Sequence, residues 1–139
     1  MPVLIDTDVI IRGERGLFDL PSWLETQADD GPSIAAITVA ELWHGVERAT
    51  AAHRNRREAY LEMIMEALPV LPYTDTTALE HARVWAELES SGKMIGYYDL
   101  IVASTALEHG STLITLNKRH FAHVNGLKVE EPKLSSDGG

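Results

Sequence analysis

The chain has 139 residues, 45% of them hydrophobic and 24% charged, and its 12 Lys and Arg against 21 Asp and Glu give a formal net charge of −9. These proportions suit one globular domain and exclude wholesale disorder, collagen and coiled coil. Cysteine is absent, which excludes disulfides, thiolate metal sites and a cysteine nucleophile. The acidic balance excludes a broadly basic surface for nucleic acid, so any such chemistry must run through bound metal or a local basic patch.

Val3-Leu4-Ile5-Asp6 is a short apolar run ending in an acid and reads as a buried strand. It has no basic flank, so it does not read as a secretory signal, and the cytoplasm is the expected location. No apolar run approaches the roughly 20 residues of a membrane span. Pro21 opens a helix after Asp19 or Leu20, carrying Trp23, Leu24 and Ala28. Ser33-Ile34-Ala35-Ala36-Ile37 reads as the second strand. Thr38-Val39-Ala40-Glu41 reads as a capping box that starts a helix through Arg48. From about Arg54 to Leu68, Tyr60, Ile64 and Leu68 recur at helical spacing. Val70-Leu71-Pro72-Tyr73 is a third strand that Pro72 pushes to a sheet edge. Asp75 or Thr76 starts a helix ending near Gly92. Asp99 opens an almost wholly apolar helix, Leu100 to Leu107, that must be buried and that Gly110 stops. Thr112-Leu113-Ile114-Thr115 and Leu127-Lys128-Val129 complete the strands.

Strands alternating with helices predict an α/β fold with both faces of a parallel sheet covered. Two helices in succession follow the second strand or the third, so the winding is not a plain Rossmann pattern, and no Gly-rich loop follows any strand. The expected domain spans 1–134, with a loose tail at 135–139 that has no apolar anchor.

Ligands in such sheets bind beyond the carboxyl ends of the strands. Asp6 ends the first strand, Glu41 lies in the first expected turn after the second, Asp99 starts the buried helix, and Asn117 follows Thr115 past the fourth strand. Three carboxylates and an amide oxygen therefore converge at one edge. Crowded like charges call for a cation between them. Hard oxygen donors without His or Cys suit Mg²⁺ or Mn²⁺, which can bind a phosphodiester and activate water. Singly, each acid also has a plain capping reading.

Four blocks in this order carry a resemblance. They are Leu4-Ile5-Asp6-Thr7-Asp8-Val9-Ile10-Ile11, then Thr38-Val39-Ala40-Glu41-Leu42-Trp43-His44-Gly45, then Ile95-Gly96-Tyr97-Tyr98-Asp99-Leu100-Ile101-Val102-Ala103, and Leu113-Ile114-Thr115-Leu116-Asn117-Lys118-Arg119-His120-Phe121. With them, nearly the whole chain resembles PIN-domain proteins, specifically the VapC-type toxin ribonucleases of bacterial toxin–antitoxin pairs. The resemblance implies a three-layer α/β/α fold around a mostly parallel sheet of four to five strands. It implies metal-ligand roles for Asp6, Glu41 and Asp99, supporting roles for Thr7 and Thr115, Mg²⁺ or Mn²⁺ as cofactor, RNA as substrate, a homodimer and a VapB-type antitoxin, with DNA met only through that antitoxin. The family often has a fourth acid where this chain has Asn117, which can offer a carbonyl oxygen but no charge.

Lys118 and Arg119 lie beside the expected site and can touch phosphate. Arg48, Arg54, Arg56 and Arg57 form a patch that either steers RNA or is a solvated helix face. His120 and His123, with no nearby carboxylate, make a poor zinc pair. Trp23, Trp43 and Trp85 read as core or dimer contacts, and the helix pair Tyr60–Leu68 and Leu79–Leu88 as the dimer surface. Two rival readings fit the same residues. Asp6-Thr7-Asp8 after a strand also resembles the opening of haloacid-dehalogenase-type phosphatases, with Asp6 as nucleophile, and the acid cluster also suits a non-catalytic interaction module.

Overall fold

Among the described residues five short strands carry the sheet: β1 (Val3–Ile5), β2 (Ile34–Ala35), β3 (Val70–Leu71), β4 (Thr112–Ile114) and β5 (Val129–Glu130). Six α-helices among the described residues connect them: α1 (Thr7–Glu14), α2 (Leu20–Thr26), α3 (Ala36–Arg48), α4 (Ala51–Ala67), α5 (Asp75–Ser91) and α6 (Tyr97–His109). The computed structural model describes residues 1–133, so the expected loose tail lies outside the described residues.

All pairings are parallel: β1 with β4, β4 with β5, and β2 with β3. A bridge between Leu4 and Ser33 joins the pair to the triplet. There the Ile5 N–H donates to the Ser33 carbonyl at 2.9 Å and the Ser33 N–H to the Val3 carbonyl at 3.1 Å. The strand order is therefore β3-β2-β1-β4-β5, as a three-stranded and a two-stranded ladder in contact rather than one unbroken sheet. The break has a local cause, because β2 is only two residues long before the chain turns into α3. Pro72 follows β3, which is an edge as expected.

Strand periodicity sorts the core into two layers. Val3, Ile5, Ile34 and Ile114 face Val9, Ile10, Leu20, Trp23, Ile64 and Leu68 from α1, α2 and α4. Leu4, Ala35 and Leu113 face Val84, Leu88, Leu100, Val102, Ala103 and Ala106 from α5 and α6. Each fully buried aliphatic chain contributes roughly 1.5–3 kcal/mol, which is why both faces of so short a sheet stay covered. Helix α3 serves both layers, with Ile37 packed on one and Val39 and Leu42 on the other.

Three expectations need correction. The second strand stops at Ala35, and Ile37 is helical. The capping box at Thr38 does not exist: α3 starts at Ala36 with no side-chain cap, and Thr38 is buried in its first turn. Asp99 is not a cap either, since α6 starts at Tyr97 behind Gly96. The apolar demand on Ile37 and Leu100 outweighs the local capping preference at these two starts.

The strand order reverses between β1 and β4. Ligand crevices in open α/β sheets lie at such a reversal, beyond the carboxyl ends of the strands. Asp6 and Thr115 stand there, each one residue past its strand.

Candidate active site

Asp6 links β1 to α1. Its extended backbone makes it the N-cap, and its Oδ1 accepts the Thr7 backbone N–H at 2.8 Å. The capping reading is thus true of Asp6, yet it occupies one oxygen only. Oδ2 accepts the Thr115 hydroxyl at 2.8 Å, tying the end of β1 to the end of β4. Asp6 is 6% exposed. Burial first, then the charges of Asp8 and Asp99, push its carboxyl from 3.8 up to about 7 against the lowering effect of the Thr115 and Thr7 bonds.

Glu41 lies in the second turn of α3. Its Oε1 accepts the Thr7 hydroxyl at 2.6 Å, and Thr7 Oγ1 is also 3.0 Å from the hydroxyl of the fully buried Thr38. Burial is the main force raising the Glu41 carboxyl, followed by the charges of Asp99 and Asp8. Asp99, in the first turn of α6, keeps its side chain 32% exposed and meets His120 Nδ1 at 3.1 Å through Oδ2. His120 therefore does have a carboxylate beside it, contrary to expectation, while His123 is exposed. The charge of Asp99 acts on Asp6, Asp8 and Glu41 alike, so the fold brings these acids together.

Asp8 is the acid that sequence reasoning passed over as a site residue. It sits in the first turn of α1, and helical side chains lean toward the N-terminus, which carries it back over the cap. Its Oδ2 accepts the Thr115 hydroxyl at 3.2 Å and the Leu116 N–H at 3.1 Å. The i, i+2 spacing from Asp6 across a strand–helix junction was the available signal.

Asn117 is exposed at the rim, and its backbone N–H donates to Thr115 Oγ1 at 3.1 Å. Lys118 and Arg119 follow in an exposed 3-10 turn. The arginine patch is largely matched by acids: Arg54 pairs with Glu47 at 2.7 Å, and Arg56 and Arg57 approach Glu14 at 3.9 and 3.6 Å. Arg57 also lines a groove of about 430 Å³ among α1, α3 and α4, together with Glu41, Ile10, Ile11, Leu42 and Tyr60.

The donor set fits a hard divalent cation. The acids are oxygen donors held above their ordinary proton affinity by burial and mutual charge, and Asp8 Oδ1 is buried with no hydrogen-bond partner. Among the described residues no three of them are drawn into a tight ligand group.

The PIN domain family matches residues 3–127. Ribonuclease VapC1 of Rickettsia felis is 32% identical over 133 residues, 93% of this chain and 95% of that protein. The tRNA(fMet)-specific endonuclease VapC of Salmonella typhimurium is 34% identical over 98 residues, 70% of this chain and 73% of that one. Among solved structures, VapBC2 from Rickettsia felis bound to a promoter DNA fragment superposes with a TM-score of 0.85 at 25% identity, covering 94% of this chain and 98% of that one. A dehalogenase-type phosphatase is thereby set aside. Sequence, strand order and the acids at the reversal point agree: the chain belongs to the PIN-domain family, among the VapC ribonucleases.

Proposed function

We propose that this protein is a metal-dependent endoribonuclease, the toxin of a toxin–antitoxin pair, acting in the cytoplasm through one PIN-like domain over residues 1–134. The observation that carries the reading is the convergence of Asp6, Glu41 and Asp99 at the reversal of strand order. Asp6, Glu41 and Asp99 would hold Mg²⁺ or Mn²⁺, with Asn117 offering a carbonyl oxygen at the rim. When bound, such an ion polarises a phosphodiester and makes hydroxide available near neutral pH.

The protein's own part is positioning. Thr115 and the Thr7 N–H hold both oxygens of Asp6, and the Thr7 hydroxyl holds Glu41. These bonds keep charged oxygens in place without neutralising them. Lys118 and Arg119 supply positive charge for the phosphates flanking the cut, and Arg54, Arg56 and Arg57 a more distant and partly neutralised steering patch. The test is cleavage of total cellular RNA with mapped ends, comparing wild type with Asp6→Asn. Mg²⁺- or Mn²⁺-dependent cuts should vanish with chelator and in the variant. Cleavage that persisted in chelator would sink the metal reading.

A cognate antitoxin of VapB type is the expected partner, as in the VapBC assemblies that this chain resembles. The groove that Glu41 helps to line suits an apolar segment, and an Arg placed beside Glu41 suits the acids, since a guanidinium bonds carboxylates bidentately. Mn²⁺ should then compete with antitoxin binding; equal affinity with and without the ion would leave simple steric blocking. DNA is reached only through that partner, and a homodimer is the expected toxin assembly.

A further inference from the structure

The sequence holds four tyrosines. Two are used by the fold: the Tyr60 hydroxyl donates to the Ile10 carbonyl at 3.4 Å, and the Tyr73 hydroxyl lies 2.7 Å from His81 Nδ1. Tyr97 and Tyr98 are not. They are 72% and 57% exposed, and neither joins a core cluster. Among the described residues neither hydroxyl has a hydrogen-bond partner, and neither ring packs on another aromatic. Helix α6 does not need them for packing, since its buried residues begin at Leu100. A tyrosine ring left in water forfeits the large apolar area that burial would recover, so an exposed pair calls for an occupant.

Their place in the fold says which. They fill the first two positions of α6, directly before Asp99. Consecutive helical residues point about 100° apart, so the rings offer two separate faces instead of covering one another. Asp99 Oδ2 lies 3.1 Å from His120 Nδ1, which ties the start of α6 to the exposed turn Lys118–Phe121. Lys118 and Arg119 stand in that turn, and among the described residues neither is paired with an acid, whereas Arg54, Arg56, Arg57 and Arg83 are. Asp99 therefore has two exposed rings before it on its own helix and two cationic side chains in the turn that it touches. Aromatic faces interleaved with positive charge are what single-stranded nucleic acid binds.

The net charge of −9 points the same way. Phosphate contacts give an acidic chain little hold on RNA, and the arginine patch is largely matched by acids. Stacking of a base on a ring needs no charge on the protein. A protein partner is the other class of occupant, but the adjoining acids and free cations favour nucleic acid over it. We propose that Tyr97 and Tyr98 are substrate-binding residues that stack bases of the RNA next to the cut, while Lys118 and Arg119 meet its phosphates. This assignment, which rests on the reading of the protein as a ribonuclease, explains how an acidic chain holds RNA without a basic surface.

The experiment follows the fluorescence anisotropy of a short labelled single-stranded RNA, and of the same strand made abasic, with the full chain in chelator. Tyr97→Ala and Tyr98→Ala should each weaken RNA binding at least about fivefold, and Tyr97→Phe and Tyr98→Phe should stay within about twofold of wild type, because they keep the ring. The abasic strand should bind all five proteins alike. With Mg²⁺ or Mn²⁺ present, the alanine variants should raise KM more than they lower kcat. Melting temperatures should not move, because neither ring is buried. Alanine variants that bind RNA as the wild type does overturn the proposal, and a changed mass in light scattering would then assign the rings to a protein interface. Phenylalanine variants as weak as the alanine ones also overturn it, since the hydroxyls and not the ring faces would be the contact. Equal weakening on the abasic strand does the same, because it removes the bases from the account. If the wild type neither binds nor cleaves RNA, the ribonuclease reading falls first and takes this one with it; if it cleaves and the alanine variants bind as tightly, this one alone falls.

Discussion

Burial holds the Asp6 carboxyl at about 7 in the fold, against 3.8 when it is solvated. Between those values the folded chain keeps a proton that the unfolded chain has released. Stability of the metal-free protein therefore falls as pH rises through that window. The ceiling is about 4 kcal/mol, at 1.36 kcal/mol per pKa unit. Urea unfolding in chelator should show the wild type less stable at about pH 8 than at about pH 5, and Asp6→Asn should flatten the profile; a wild-type profile already flat would contradict the burial argument. Function responds in the opposite direction to the same substitution. Asp6→Asn, Glu41→Gln and Asp99→Asn should each cut RNA cleavage more than about 100-fold with the fold intact, whereas Thr115→Val, which removes a supporting hydrogen bond, should cost about 10–100-fold. Circular dichroism checks the fold and a fluorogenic RNA the rate. Glu41→Gln with full turnover and lost stability would mark Glu41 as structural.

At the scale of elements, the site depends on how α1 is wedged. The helix passes so close to α2 and α4 that a Cβ added at Gly13 would stand 2.6 Å from the Tyr60 hydroxyl and 2.8 Å from Leu20 Cβ. Tyr60 is itself held by burial, which with Glu14 pushes its hydroxyl up to about 12. Gly13→Ala should therefore cost about 1–3 kcal/mol despite the better helix propensity of alanine. Adding Tyr60→Phe should recover part of that loss only, because Leu20 still blocks the methyl. Denaturant midpoints measure both, and a neutral or stabilising Gly13→Ala would show that α1 can shift without cost. Since α1 carries Asp6 at its cap and Thr7 and Asp8 in its first turn, a shifted α1 should also weaken cleavage.

The whole molecule presents an exposed aromatic cluster on α5 and the adjoining loop. Tyr73 and Trp85 flank His81, with Trp85 stacked on it at 5.7 Å between ring centroids, and Leu79 is 75% exposed nearby in sequence. The helix pair expected to dimerise is only half available, because Leu61, Ile64, Leu68, Val84 and Leu88 are spent on the chain's own core. Pro72 also blocks pairing through the β3 edge. A dimer built on α5 would use the aromatic cluster, since rigid aromatics concentrate binding energy. Trp85→Glu should convert a dimeric mass into a monomeric one in light scattering at micromolar concentration, with cleavage chemistry unaltered per site. A monomeric wild type would remove the dimer from the account.

How much of this was legible in the chain follows the range over which each force acts. The apolar runs, the Gly110 stop, the edge position of Pro72, the placing of Asp6 just past a strand end and that of Asp99 near the start of a buried helix are local patterns, readable within a few residues. The start of α3 departs from the local capping signal because Ile37 and Thr38 answer to packing rather than to capping. The Arg54, Arg56 and Arg57 patch reads as free charge until α4 settles against α3 and α1, where Glu47 meets Arg54 and Glu14 meets Arg56 and Arg57. Asp8 was passed over for the same reason in a stronger form. Its partners Thr115 and Leu116 are more than 100 residues away, and one hydroxyl shared between two carboxylates exists only after β1 and β4 pair. Local sequence sets which acids lie near strand and helix starts; closure of the sheet sets which of them share partners, because the hydrogen bonds from Thr115 and Leu116 form only between distant segments.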